Sequence, residues 1–105
     1  TFSIPSAAYE QYERDVLRLL PGRLKAMAIA VPVNVRATYY VDANRRVDMN
    51  GLNQALHDAL VKAGVLADDS ALNPPIIVGT DGTRVEVDRK RPRTEVEITP
   101  VTPKP

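Results

Sequence analysis

The stretch Asp48-Met49-Asn50-Gly51-Leu52-Asn53-Gln54-Ala55-Leu56-His57-Asp58-Ala59-Leu60-Val61-Lys62-Ala63-Gly64-Val65-Leu66-Ala67-Asp68-Asp69 decides how this chain is read. Within it Leu52, Ala55, Leu56, Ala59, Leu60 and Ala63 fall at i, i+3, i+4, i+7, i+8 and i+11, the spacing of a single apolar stripe along a helix. Asp48 or Asn50 is placed to cap the first turn, and Gly64 supplies the left-handed residue that stops the last. A helix of about sixteen residues is roughly 24 Å long, so Asp48 and the Asp68-Asp69 pair meet only under one of two conditions. Either the chain doubles back after Gly64, or a symmetry-related copy contributes. On residue physics alone Asp48 is a cap and Asp68-Asp69 a polar turn.

Upstream, Val33, Val35, Ala37, Tyr39 and Val41 alternate with Asn34, Arg36, Thr38 and Tyr40, the period-two signature of a half-buried strand, with Pro32 at its start. Further back, Tyr9, Tyr12, Val16, Leu19 and Leu20 recur at helical spacing. They predict a helix from Ala7 to Leu20 with Ser6 as N-cap and Pro21-Gly22 as its stop. Downstream, strands are expected from Ile76 to Val78, continuing past Asp81-Gly82 to Arg84–Val87, and from Arg93 to Thr99. Asp81-Gly82 is a turn signal suited to closing a short hairpin. The tail from Pro100 to Pro105 is too rich in proline to pair and is expected to fray. Helix, strand, helix and then strands, without βαβ alternation, predict an α+β fold: a small mixed sheet of about three to four strands packed with two main helices, as one domain over residues 1–99.

Composition narrows the chemistry. The 105 residues suit one domain, and the 44% apolar and 26% charged fractions are those of an ordinary globular protein. Cysteine is absent and His57 is the single histidine, which leaves carboxylates and amides as the ligands for any metal. No apolar run is long enough to span a membrane, and no basic-then-apolar leader opens the chain, so the expectation is a soluble, cytoplasmic protein with no membrane partner. With 14 Lys plus Arg against 13 Asp plus Glu, the net charge is +1 and the chain is no polycation.

The distribution of charge is more telling than its sum. Arg84, Arg89, Lys90, Arg91 and Arg93 outweigh Glu86 and Asp88, and Arg14, Arg18, Arg23 and Lys25 outweigh Asp15. The Arg89 to Arg93 loop, stiffened by Pro92, reads either as a phosphate contact or as a charged turn that keeps a hairpin soluble. His57, off the apolar stripe, reads as a solvated helix residue. Glu86 and Asp88 are spare acids on a strand edge.

The quoted stretch, with Arg45-Arg46 before it, resembles the core of the RusA family of Holliday-junction resolvases. There an Arg-rich lead-in precedes Asp-x-Asp-Asn-Leu, a helix carries Asp-Ala-Leu, and an Ala-Gly turn leads to Asp-Asp. The spacing matches without a gap, and the first helix, the Val33 to Val41 strand and the strand in Pro92-Arg93-Thr94-Glu95-Val96-Glu97-Ile98 have looser counterparts. The family's first strand and its following loop have none in this reading. The resemblance implies a homodimeric, Mg²⁺-dependent endonuclease acting on branched DNA. Asp48 and Asp69 would be its principal catalytic and metal-binding acids, with Asp68 beside them, and Arg45, Arg46, Arg89, Lys90, Arg91 and Arg93 would meet DNA. Three positions depart from the pattern. Asn50 stands where the second acid belongs, a neutral ligand at best. Gln54 stands where a lysine belongs, and Gly51 replaces the usual Asn.

Overall fold

A computed structural model describes residues 1–4, 12–20, 22–42 and 47–101. The nine-residue strand β2 (Val33–Val41) is its spine, and its alternation is the one read from sequence: Val33, Val35, Ala37, Tyr39 and Val41 are buried on one face, and the residues between them are half-buried or exposed. β5 (Arg93–Pro100) runs antiparallel along one edge of β2, from Tyr40 opposite Arg93 to Val33 opposite Pro100, and β1 (Phe2–Ile4) extends the sheet on the far side of β5. Pro100 therefore belongs to the ladder rather than to a frayed tail, and the Val101 N–H donates to the Pro32 carbonyl. Residues 102–105 lie outside the described part. β1 has no forerunner in the sequence reading, where the chain starts without a strand.

The other edge of β2 corrects the hairpin expectation. β3 (Ile77–Gly79) and β4 (Arg84–Val87) do not pair with each other; both run parallel to β2, β3 at Val33 and Asn34 and β4 from Thr38 to Val41. The five strands thus form one sheet in which β3 and β4 are successive lengths of an edge interrupted by a turn. Side chains bridge the gap. Asn34 Oδ1 accepts from the Asp81 N–H at 2.8 Å while its Nδ2 donates to the Asp81 carbonyl, and Thr83 Oγ1 accepts from the Ala37 N–H at 3.1 Å. Gly82, at φ +85°, turns the chain where an added Cβ would lie 2.6 Å from Arg36 Cδ. A long central strand offers more hydrogen-bonding groups than β3 alone can use, so the turn returns the chain to the same edge.

The helices cover the inward face of β2. They are α1 (Tyr12–Leu19), the single turn α2 (Gly22–Lys25) and α3 (Met49–Lys62). The α+β class holds, with five strands in place of three to four. The predicted start of the first helix, with Ser6 and Tyr9, falls outside the described residues. Val16 and Leu20 from α1 and its end meet Leu52, Leu56, Ala59 and Leu60 of α3, together with Ile4 and Val96 from the sheet, in one core. The carboxyl end of α3 sets the path of the chain beyond it. Gly64, at φ +81°, passes so close to the chain after α2 that an added Cβ would lie 2.5 Å from the Lys25 carbonyl oxygen. Beside it the Ala28 N–H donates to the Gly64 carbonyl, and Ile29 is held on both sides, its N–H on Val65 and its carbonyl by the Ala67 N–H. These bonds lay residues 64–67 against residues 28–29 and send the chain back toward α3.

Candidate active site

Asp48 caps α3 in extended conformation, with its Oδ1 accepting from the Asn50 N–H at 3.1 Å and its carbonyl accepting from the Leu52 N–H. The cap satisfies an otherwise orphaned helix amide and sets a carboxylate against the positive end of the helix dipole. Asp48 and Asn50 are both exposed. From Asn50 a polar stripe runs up α3 through Asn53, Gln54 and His57, which share a face at spacings of three and four. Tyr39, buried on β2, anchors this stripe: its hydroxyl lies 2.5 Å from Asn53 Oδ1. The bond pins the first half of α3 over the last third of β2.

The doubling-back that the sequence made a condition is present. Asp69 lies near enough to His57 to raise the imidazole pKa electrostatically, as does Asp58. Desolvation acts in the opposite sense and is the larger effect, so the net shift is downward and the ring is held neutral. His57 is accordingly no solvated helix residue. Its Nε2 is buried with no hydrogen-bond partner among the described residues. Asp68 uses its Oδ1 to accept from the Asp69 N–H at 2.8 Å, in irregular chain rather than in the turn expected of the pair.

Among the described residues no three His, Asp or Glu side chains gather closely enough to cage a metal ion. The donors present are nonetheless oxygens of the kind Mg²⁺ takes, and that ion fills most of its shell with water and phosphate oxygens rather than with protein. The donor chemistry fits that ion.

Basic residues stand at the same end of the sheet as the start of α3. β4 ends where the Asp88 N–H donates to the Val41 carbonyl at 2.9 Å, and the loop to β5 begins there. Asp88 organises that loop, its Oδ1 accepting from the Lys90 and Arg91 N–H groups at 3.1 and 3.2 Å. Arg93 completes the arrangement. Its Nη1 bonds to Asp88 Oδ2 at 2.8 Å and to the Arg91 carbonyl, its Nε bonds to Glu95 at 3.0 Å, and its guanidinium lies 3.8 Å from the centre of the Tyr40 ring. The bond from Arg93, followed by the backbone bond from Arg91, holds the Asp88 carboxyl below the usual carboxylate range, and the same pairing raises Arg93. Arg93 is thus a brace rather than a free phosphate contact, and Asp88 is no spare acid. Glu86 is likewise engaged, with Arg84 at 2.9 Å. Arg89, Lys90 and Arg91 remain exposed on the braced loop, and Arg45 and Arg46 lie outside the described residues.

Sequence reasoning missed Tyr39–Asn53, His57 beside Asp69, and the Arg93 brace. Only the first left a signal: alternation puts Tyr39 on the inward face, where a hydroxyl needs a partner.

The chain is 33% identical over 85 residues to the crossover junction endodeoxyribonuclease rusA of Enterobacteria phage 82, covering 78% of this chain and 71% of that protein. It is 32% identical, with the same coverage, to the RusA crossover junction endodeoxyribonucleases of Escherichia coli K12 and of Shigella sonnei Ss046. No family model matches the chain. A small α+β domain with acids flanking a capped helix, matched at this identity across most of its length, this chain belongs to the RusA family.

Proposed function

We propose that this protein is a structure-specific endodeoxyribonuclease that resolves branched DNA by Mg²⁺-dependent phosphodiester hydrolysis, working as a homodimer. The observation that supports it most directly is the return of the chain after Gly64, which brings Asp69 within electrostatic reach of His57 on α3, the helix that Asp48 caps. Asp48 and Asp69, with Asp68 adjacent and the Asn50 amide oxygen as a neutral donor, would hold the cation. When bound, Mg²⁺ supplies an activated water and a charge clamp on the phosphate. The exposed Arg89, Lys90 and Arg91, with Arg45 and Arg46 ahead of the helix, would hold the DNA backbone, and two like subunits suit a junction of approximate two-fold symmetry. A synthetic four-way junction incubated with the protein and Mg²⁺ should be nicked. Asp48→Asn and Asp69→Asn should each slow nicking by about a hundredfold or more, since the metal's charge stabilisation is worth several kcal/mol. Nicking that persists at the wild-type rate in both variants would overturn the assignment.

Asn50 and Gln54 favour a second reading, a junction-binding protein with weakened cleavage. Asn50 brings no charge to the cation and Gln54 no ammonium to the phosphate, so both affinity and charge stabilisation fall. Asn50→Asp combined with Gln54→Lys separates the two readings: a large gain in cutting at unchanged junction affinity supports the weakened enzyme, and no gain supports a site already complete.

A further inference from the structure

Just beyond Asp69 the chain makes a short closed loop with an apolar tip. Ser70 closes it: its carbonyl accepts from the Ile76 and Ile77 N–H groups at 2.9 and 3.1 Å, and its hydroxyl bonds back to the Pro74 carbonyl. Below the closure, Ile76 and Ile77 are buried in the core. Above it, residues 71–75 are all exposed, and four of the five, Ala71, Leu72, Pro74 and Pro75, are apolar. Leu72 is 75% exposed, more than any other large apolar side chain among the described residues. A leucine held this far into water on a backbone already ordered by hydrogen bonds is set up to enter something, because the ordering cost is met before binding.

Two facts select the occupant. One exposed leucine, with Pro74 and Pro75 two and three residues on, is far smaller than the roughly 800 Å² per partner of a stable protein interface. A single leucine or proline is, however, the usual size of a wedge pushed between base steps. Position agrees with this. Three residues of chain span at most about 11 Å, so the Leu72 Cα lies within some three nucleotide steps of the Asp69 Cα. At a branch point stacking is already interrupted, which lowers the cost of insertion. We propose that Leu72 is a wedge that enters the base stack at the branch point while the scissile phosphate lies at Asp69, so that the enzyme recognises branching through a weakness in stacking. This rests on the nuclease reading above.

The test uses the full chain and a four-way junction carrying 2-aminopurine beside the branch point, with Ca²⁺ in place of Mg²⁺ for binding. Anisotropy of a labelled arm reports binding, and 2-aminopurine fluorescence reports unstacking. Wild type should bind and brighten the probe. Leu72→Ala, a surface change, should bind within about threefold, lose most of the brightening and, with Mg²⁺, cut about tenfold more slowly, while Leu72→Phe retains all three properties. Equal brightening by Leu72→Ala overturns the wedge. A sedimentation change in Leu72→Ala overturns it in favour of a contact between copies. Wild-type binding and nicking without brightening overturns the wedge alone, whereas no wild-type binding removes the nuclease reading and the wedge with it.

Discussion

His57 shows how far a single residue's reading depends on what packs over it. On the helix it falls outside the apolar stripe, and the sequence alone makes it solvated. In the fold the segment after Gly64 comes back toward it, its Nε2 is closed off, and desolvation outweighs the attraction of Asp69 and Asp58 for its proton. The pKa of the folded state lies below the ordinary value of about 6.5, so as pH falls the unfolded chain takes up its proton first. Stability is then complete above that value and is lost as pH falls toward the lowered pKa. Thermal unfolding followed by circular dichroism should show the midpoint falling between neutral pH and the lowered value, and His57→Phe should flatten that window. Asp88 acts lower. Its depressed pKa contributes stability present above its ordinary value and lost as pH falls through the depressed one, so its window opens below the point where that of His57 does. A midpoint equally sensitive to pH in His57→Phe would remove His57 as the cause.

At the scale of elements, the loop between β4 and β5 turns a run of charges into a shape. Five basic residues in the stretch from Arg84 to Arg93 look interchangeable in sequence. In the structure Arg84 pairs with Glu86, Arg93 holds three partners and a ring, and Arg89, Lys90 and Arg91 are left outward. The planar guanidinium makes this possible, since a lysine ammonium lacks the fork that binds Asp88 and Glu95 together. Arg93→Ala and Arg93→Lys should both loosen the loop. Amide exchange at Lys90 and Arg91 should accelerate by about tenfold or more as the Asp88 cap loses its anchor, and junction binding should weaken without any loss of a phosphate contact. Unchanged exchange at those two amides would show that the brace is not needed. The β3–β4 edge carries the same lesson. Asp81-Gly82 is legible as a turn, but whether the strands around it pair with each other or with a third depends on Asn34 and Thr83, whose side chains fill the gap in the ladder from opposite sides.

For the whole molecule, a net charge of +1 makes binding to nucleic acid a matter of placement. The start of α3 and the braced loop share one end of the sheet, so Asp48 and the exposed Arg89, Lys90 and Arg91 stand at that end while acidic and basic charges nearly cancel in the sum. Junction binding should therefore be steeply salt-dependent despite near neutrality. Arg89→Ala with Arg91→Ala should lower the slope of log affinity against log salt by about two per bound loop, at roughly 0.9 per lost phosphate contact. A slope unchanged in this double variant would place the DNA elsewhere on the molecule.

The sequence by itself determined what periodicity and local bonding control. These are the alternation of β2, the apolar stripe and Asp48 cap of α3, the left-handed stop at Gly64, and the family motif from Asp48 to Asp69. Each is settled within a few residues, by side-chain direction and by backbone groups that need near partners. Tertiary structure decided which distant segments meet: the return of Asp69 toward α3, the shared parallel edge of β3 and β4, the capture of Arg93 and the exposure of Leu72. Those outcomes depend on burial and hydrogen-bond satisfaction summed over segments far apart in the chain, a sum that no local pattern contains.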